Sequence, residues 1–536
     1  MMIRLKLEKL WQATAVLVFA FSSCSKDIAL GTDPYAGGKE SLGVGFYTNY
    51  ASPEVAKPGE LVDFYVKGLK PYLDNIEFTI NNTKVEVVSA KDSLVTIRVP
   101  AQISSGDAKI IVDGQVFYGP RLEVEGNAAL DENYGIVNGF LGSVYDILPN
   151  AGGFIITGSF INFENEAVDN VPEDKKVFRN GIHFIGADGK SNDAMKFGEG
   201  VKSGTINSIA KTSDGKFVIG GGFSTFNKRG VYNIARLNSG GSLDTMIVDV
   251  INTTDDPKNS LDTVSAFNGG VLSYPIQRVF TMADNKIVAV GNFKTYYKID
   301  YTYSSRDNRR YLVTEARNVI RMLPDGSLDS TFALNNLGAN GSISDAALID
   351  NERILIIGSF TSYNGSPAPG IACIKSDGSV DPAFNLSGNI ERIFSVTYNA
   401  LLKKIAISGL IHKLGHGGKV NGVAVLNTDG SIDNQFVLGD IGNTVANFAQ
   451  ILDNGRVVVK GTFETYNGIG RPSLLLLEKD GSLVQKYNSQ APFSGTVYKI
   501  VETKSSLGLP ALLIGGSIYQ YGSKSIGNLF RLEVKE

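Results

Sequence analysis

One four-part phrase returns seven times along this chain. It is clearest over Gly341–Phe384. An apolar run, Ile343–Ile349, leads into Arg353-Ile-Leu-Ile-Ile-Gly-Ser-Phe360 and a Tyr363-Asn-Gly loop. Then come Gly370-Ile-Ala-Cys-Ile-Lys375, the turn Asp377-Gly378 and Ser379-Val-Asp-Pro-Ala-Phe384. Each part is short, alternating and rich in β-branched residues, and Gly, Asn or Asp bounds it. That pattern predicts four strands joined by tight turns. A four-strand unit recurring at a regular period predicts the blade of a β-propeller.

The units can be placed one by one. Second strands end at Gly158, Gly221, Gly291, Gly358, Gly409, Gly461 and Gly516, most followed by x-Phe. Third strands lie at Gly181–Gly186, Asn233–Leu237, Asn318–Leu323, Gly370–Ile374, Gly422–Leu426, Ser473–Leu477 and Asn528–Val534. The seventh unit has no fourth strand after it, but Ala129-Leu-Asp-Glu-Asn-Tyr134 matches Ser327-Leu-Asp-Ser-Thr-Phe332 and Ser431-Ile-Asp-Asn-Gln-Phe436. We therefore expect an all-β chain whose seven-bladed propeller is closed by the strand at Ala129–Tyr134, which removes two sheet edges. The phrase Leu323-Pro-Asp-Gly-Ser-Leu-Asp-Ser-Thr-Phe332, with strands ending in Gly-Ser-Phe, resembles the delta-60 propeller repeat over residues 128–536. Ser239-Gly-Gly-Ser242, Lys190-Ser-Asn-Asp193 and Val484 depart from its pattern and blur local strand ends.

The front of the chain is organised differently. Arg4, Lys6 and Lys9 precede the apolar run Leu10–Phe21, which is too short to span a bilayer and reads as a signal peptide over 1–23. Phe21-Ser-Ser-Cys24 resembles the bacterial lipobox, which implies acylation of Cys24, and Cys24-Ser-Lys-Asp27 resembles an address for the outer face of the outer membrane. Residues 24–42 are short of apolar side chains and rich in Gly and Pro, as expected of a tether. Residues 43–126 show strands and turns at the spacing of a β-sandwich. Pro58-Gly59, the strand to Gly68, Ser93–Pro100 and Gly106–Gly114 resemble the TIG/IPT immunoglobulin-like domain, which implies a spacer without chemistry. The fourth span, 127–536, is the propeller.

Candidate chemistry is sparse. A net charge of −3 without a basic tract offers no footprint for nucleic acid. With Cys24 acylated, Cys373 stands alone on an apolar strand as a packing residue. His412 and His416 have metal-binding spacing only on a helix, and they fall in a glycine-rich stretch with Lys413 where a zinc protease has Glu. The recurring Asp131, Asp244, Asp329, Asp381 and Asp433 are read as structural, because side chains at strand starts hold nearby backbone N–H groups. No nucleophile elbow or phosphate loop is present, so we expect no catalytic residue, metal or cofactor.

Asymmetry points to function instead. Insertions at Asn162–Asn180, Thr245–Tyr274 and Lys294–Arg317 enlarge one face, and long loops in a compact domain are functional more often than those that merely connect. The last holds Tyr296, Tyr297, Tyr301, Tyr303 and Tyr311 with Arg306 and Arg309, a set suited to stacking on sugar and hydrogen-bonding its oxygens. The lipobox, tether, immunoglobulin-like spacer and propeller together resemble accessory lipoproteins of starch-utilisation-type polysaccharide systems. The resemblance implies an outer-membrane, outward-facing protein that binds carbohydrate beside importer components. A protein-interaction scaffold or adhesin is the second expectation, and a propeller hydrolase or lyase the third.

Overall fold

The computed structural model describes residues 40–534, less 102, 127, 333–336, 387, 415–419, 485–492 and 522–523. The signal peptide, Cys24, nearly all of the tether and His416 lie outside the described residues. Gly45–Glu536 forms one compact unit; of the other unit, Met1–Val44, only the last residues are described.

Two sheets occupy residues 45–124. One has the order Gly45–Phe46, Leu61–Lys67, Leu94–Arg98, Glu86–Lys91; the other runs Val55–Ala56, Gln115–Val124, Gly106–Val112, Glu77–Ile80, Thr83–Lys84. In Leu61–Lys67 alternate residues Val62, Phe64 and Val66 are buried, the period-2 pattern of a strand with one face inward. Phe64 meets Phe78 of the opposite sheet with ring centroids 4.9 Å apart. Ser104 Oγ donates to the carbonyl of Gly470 at 2.6 Å and accepts from Arg471 Nη1 at 2.9 Å, so this region is fastened to the sixth repeat.

From Val144 onward the described residues form seven antiparallel sheets in chain order, each with its first, second and third strands side by side. The first is Val144–Asn150, Gly153–Gly158, Ile182–Gly186, and the seventh is Phe493–Lys504, Pro510–Tyr521, Leu529–Val534. Each first strand packs on the next around the series, and Phe493–Lys504 returns to pack on Val144–Asn150. Ala128–Leu130 pairs antiparallel with Leu529–Val534, placing Ala128 opposite Val534 and Leu130 opposite Leu532. The same seam is apolar: Val144 and Ile156 share a core with Leu513 and Leu529. Second strands are buried throughout, as Gly153–Gly158 is, because a blade has neighbours on both faces.

The fourth strand differs from expectation. In six sheets it contracts to a single bridge, such as Met322 to Leu328 and Ile374 to Val380; only Ala128–Leu130 is a strand. In the third, fourth and fifth sheets an Asp side chain turns the chain just after the bridge, whereas the sixth has Val484 at that place and contracts all the same. Asp329 Oδ1 accepts from the N–H of Thr331 at 3.0 Å and Asp381 Oδ1 from that of Ala383 at 3.0 Å, which turns the chain out of the ladder. The turn then drops Tyr134, Phe332 or Phe436 into the core. Each such Asp also holds a cation, Arg321 for Asp329, Arg353 for Asp381 and Lys404 for Asp433. His412 departs too: Ile411–Leu414 closes the strand Lys404–Leu414, so His412 is a strand residue, exposed beside Glu391.

Candidate functional site

The insertions form a platform. Thr245–Asp249 pairs with Leu261–Ser265, and Thr295–Ile299 pairs with Tyr311–Glu315, making two hairpins. Arginines join them. Arg306 Nε donates to the carbonyl of Leu261 at 3.0 Å, Arg306 Nη2 to that of Lys258 at 3.0 Å, and Arg309 pairs with Asp262. Both guanidinium groups, expected to meet ligand oxygens, hold one hairpin to the other, and Arg309 Nη1 is buried without a hydrogen-bond partner.

The tyrosines divide in the same way. Tyr296 is 2% exposed and its hydroxyl donates to the carbonyl of Gly326 at 3.0 Å, which makes it core. Tyr466 does the same in the sixth repeat, donating to Gly481 O at 2.5 Å, and Tyr363 is equally buried. All three sit three residues after the Phe that ends a second strand, so Tyr296 belongs to the repeat and not to the insertion. Tyr301 lies half-buried with the Arg309 guanidinium 5.5 Å from its ring centroid, and burial pushes its hydroxyl up to about 12. Tyr297 and Tyr311 pack edge to face, and the Tyr311 hydroxyl meets that of Tyr232 at 3.0 Å. Tyr303 is 60% exposed, with the Arg310 guanidinium 4.5 Å from its ring centroid. The platform offers an exposed surface and no enclosed site among these residues.

The enclosed space lies elsewhere. The seven first strands surround a central cavity of about 730 Å³. Every one of them carries a β-bulge at the same height, between Val144 and Asp146, Ile206 and Ser208, Ile276 and Arg278, Ile343 and Asp345, Ile393 and Ser395, Ala446 and Phe448, and Val497 and Lys499. A bulge sets two residues against one and re-aims side chains. Its cause is legible in the repeat. The glycine that ends each second strand pairs with the residue just before the bulge, and a Cβ there would collide with first-strand backbone. At Gly158 it would fall 1.9 Å from the carbonyl of Ser143, at Gly358 2.0 Å from that of Ser342 and at Gly516 2.0 Å from that of Thr496. Only glycine admits this approach.

Just after the bulges stand four charges, Asp146, Arg278, Asp345 and Lys499. Arg278 Nε donates to Asp345 Oδ1 at 2.6 Å, and Lys499 Nζ lies 3.2 Å from Asp146 Oδ1. Asp146 Oδ2 also accepts from the N–H of Ile209 at 3.2 Å. Burial pushes the Asp146 carboxyl up, but Lys499, Arg278 and that N–H outweigh it and hold the group below its ordinary range. Burial lowers and the charge of Asp345 raises the Arg278 pKa, with a net upward shift. Phe394, Asn447 and Tyr498, the bulge residues of the fifth, sixth and seventh sheets, complete the lining with Phe448. Sequence reading missed this ring, because its members come from different repeats and none carries a local motif of its own. Among the described residues no three His, Cys, Asp or Glu side chains are placed to hold a metal.

Two families match parts of the chain. Residues 212–245, 351–384 and 452–483 match "Domain of unknown function (DUF5122) beta-propeller". Those repeats are of propeller type. Residues 20–120 match "Domain of unknown function (DUF5008)". No curated protein matches. Among solved structures, an auxiliary nutrient binding protein from Bacteroides thetaiotaomicron VPI-5482 is 11% identical, covering 91% of this chain and 97% of its own, with a TM-score of 0.32. One of the same description from Bacteroides ovatus ATCC 8483 is 12% identical over 70% of this chain and 97% of its own, with a TM-score of 0.20. The WD40 β-propeller domain of Doa1 is 12% identical over 76% and 97%, with a TM-score of 0.38. At these scores the likeness carries no weight for function.

Proposed function

We propose that this chain is a non-enzymatic, lipid-anchored glycan-binding protein of the outer membrane, facing outward beside the components of a polysaccharide importer. In this reading Cys24 carries the lipid, residues 43–126 are an immunoglobulin-like spacer, and residues 127–536 are a seven-bladed propeller that holds carbohydrate in its central cavity.

The observation that carries the reading is the composition of that cavity, in which aromatic rings and hydrogen-bonding groups share one wall. Pockets of this size suit small polar ligands, and a pyranose presents both a C–H face for rings and hydroxyls for polar partners. The state of the carboxylates favours binding over hydrolysis. A glycosidase needs one acid held protonated, whereas Lys499 and Arg278 hold the Asp146 carboxyl below its ordinary range.

The test is electrophoresis of the detergent-solubilised full chain through native gels containing a panel of polysaccharides. Retardation in at least one gel is expected; uniform migration in all of them overturns the reading. A second reading, a protein-interaction scaffold, is favoured by one feature: Ile247 and Val313 on the platform are 70% and 58% exposed. It predicts co-purification of an envelope protein that Ile247→Lys abolishes.

A further inference from the structure

Asn447 and Asn207 occupy the same bulge position in the sixth and second sheets. Asn207 is committed to the fold: its Nδ2 donates to the carbonyl of Ile276 at 2.8 Å and its Oδ1 accepts from Thr205 Oγ1 at 3.1 Å. Asn447 Oδ1 is buried and has no hydrogen-bond partner. A buried acceptor left unpaired costs about 1–3 kcal/mol, so natural chains keep few of them without a reason. Asn447 lines the cavity, with the bulge residues Phe394 and Tyr498 of the two neighbouring sheets on either side.

Resting on the glycan-binding reading, we propose that Phe394, Asn447 and Tyr498 form a subsite for the terminal ring of a sugar chain. The Asn447 amide oxygen accepts from a ring hydroxyl, and the aromatic side chains pack on the C–H surfaces of the same ring. Of the charges on the wall, Arg278 is engaged by Asp345 and Lys499 by Asp146, while the Lys211 ammonium meets the neutral Asn150 Oδ1; beside the wall, the Arg392 guanidinium lies 5.3 Å from the Phe394 ring centroid. Recognition of a chain end follows from topology. A cavity walled all round by seven packed first strands admits a polymer by its end and not along its side. The bulges lie near the starts of those strands, where the long insertions also emerge, so the subsite sits toward that face.

The test is titration calorimetry of the full chain with linear hexasaccharides of glucose, xylose and mannose, and with a cyclic glucan that has no end, each paired with a melting curve. We expect a linear hexasaccharide to bind and the cyclic one not to. Asn447→Ala should weaken binding on the order of tenfold, the scale of one hydrogen bond, without lowering the melting temperature, since it removes an acceptor that the fold leaves unpaired. Phe394→Leu should weaken binding while keeping the bulk at that position. Unchanged affinity in both variants overturns the subsite, as does a fall in melting temperature that accounts for the lost binding. Equal binding of the cyclic glucan overturns end recognition. If polysaccharide gels retard the chain but no hexasaccharide binds, the subsite falls and the glycan-binding reading stands; if neither probe binds, both fall.

Discussion

Arg531 Nε donates to Asp131 Oδ2 at 2.8 Å, although 400 positions of chain separate them. Asp131 follows the closing strand and Arg531 lies in the third strand of the seventh sheet, so the pair locks the two ends of the ring. Both side chains are buried, Arg531 Nη1 also donates to the carbonyl of Ala187, and its guanidinium lies 4.0 Å from the Tyr134 ring centroid. Removing one partner of a buried pair strands the other. Asp131→Ala is therefore expected to destabilise the chain by about 3–5 kcal/mol, read from urea denaturation. A loss below about 1 kcal/mol would mean that the strand pairing at Ala128–Leu130 closes the ring without this contact.

Much of this was legible because it is local. Third strands, Asp-Gly turns and the closing segment at Ala129–Tyr134 each carry their own short pattern of alternation and breakers, and repetition multiplies a weak signal. Tyr296 was legible as well, since Phe293 stands three residues before it just as Phe360 precedes Tyr363; the long insertion beginning there obscured the match. The cavity was not legible. Phe394, Asn447 and Tyr498 come from three repeats and meet only when the ring closes. Their one local trace was the recurring glycine at the end of each second strand, which reads as a strand terminator until the bulge opposite it is seen. Arg306 and Arg309 show a related limit: sequence shows a cation in a loop, but not the carbonyl or carboxylate from a second loop that engages it.

The repeated aspartates set the response to acid. In Asp329, as in Asp131, Asp244 and Asp433, burial pushes the carboxyl up, yet hydrogen bonds and a paired cation outweigh it and leave the pKa lowered. A carboxyl whose pKa is lower folded than unfolded contributes stability that is fully present above its unfolded value, about 4, and lost as pH falls through the folded one. The melting temperature is expected to be flat from neutral pH to about 5 and to fall below that. Asp329→Asn should melt lower at neutral pH and lose less on acidification. Parallel curves for the two proteins would mean that Asp329 has no part in the acid response.

Arg309 tests the platform. It pairs with Asp262 and covers Tyr301, so Arg309→Ala leaves a partly buried carboxylate without its cation. The hairpins Thr245–Ser265 and Thr295–Glu315 should then open locally, with faster amide exchange confined to them. Global stability should change by no more than about 1 kcal/mol, since the seven sheets do not depend on the insertion. Glycan affinity should be unchanged. Loss of affinity with intact exchange protection would return the binding site to the insertion.

The glycines that end the second strands should be the least replaceable residues of their kind. A Cβ at Gly358 would stand 2.0 Å from the carbonyl oxygen of Ser342 and 3.0 Å from Cα of Ile343, both backbone, so neither can swing aside. Gly358→Ala must push the first strand inward or undo the bulge before Asp345, which also carries the ion pair to Arg278. Overpacking of this kind costs about 1–3 kcal/mol, and displacement of the ion pair adds to it. Gly230, in the short hairpin after the second strand of the second sheet, has no atom within 4 Å of an added Cβ, so Gly230→Ala should be neutral within about 0.5 kcal/mol. The comparison is made by denaturant melts of the two variants. If Gly358→Ala proves as benign as Gly230→Ala, the close approach of the strands is not what fixes the bulge, and the ring of channel residues needs another cause.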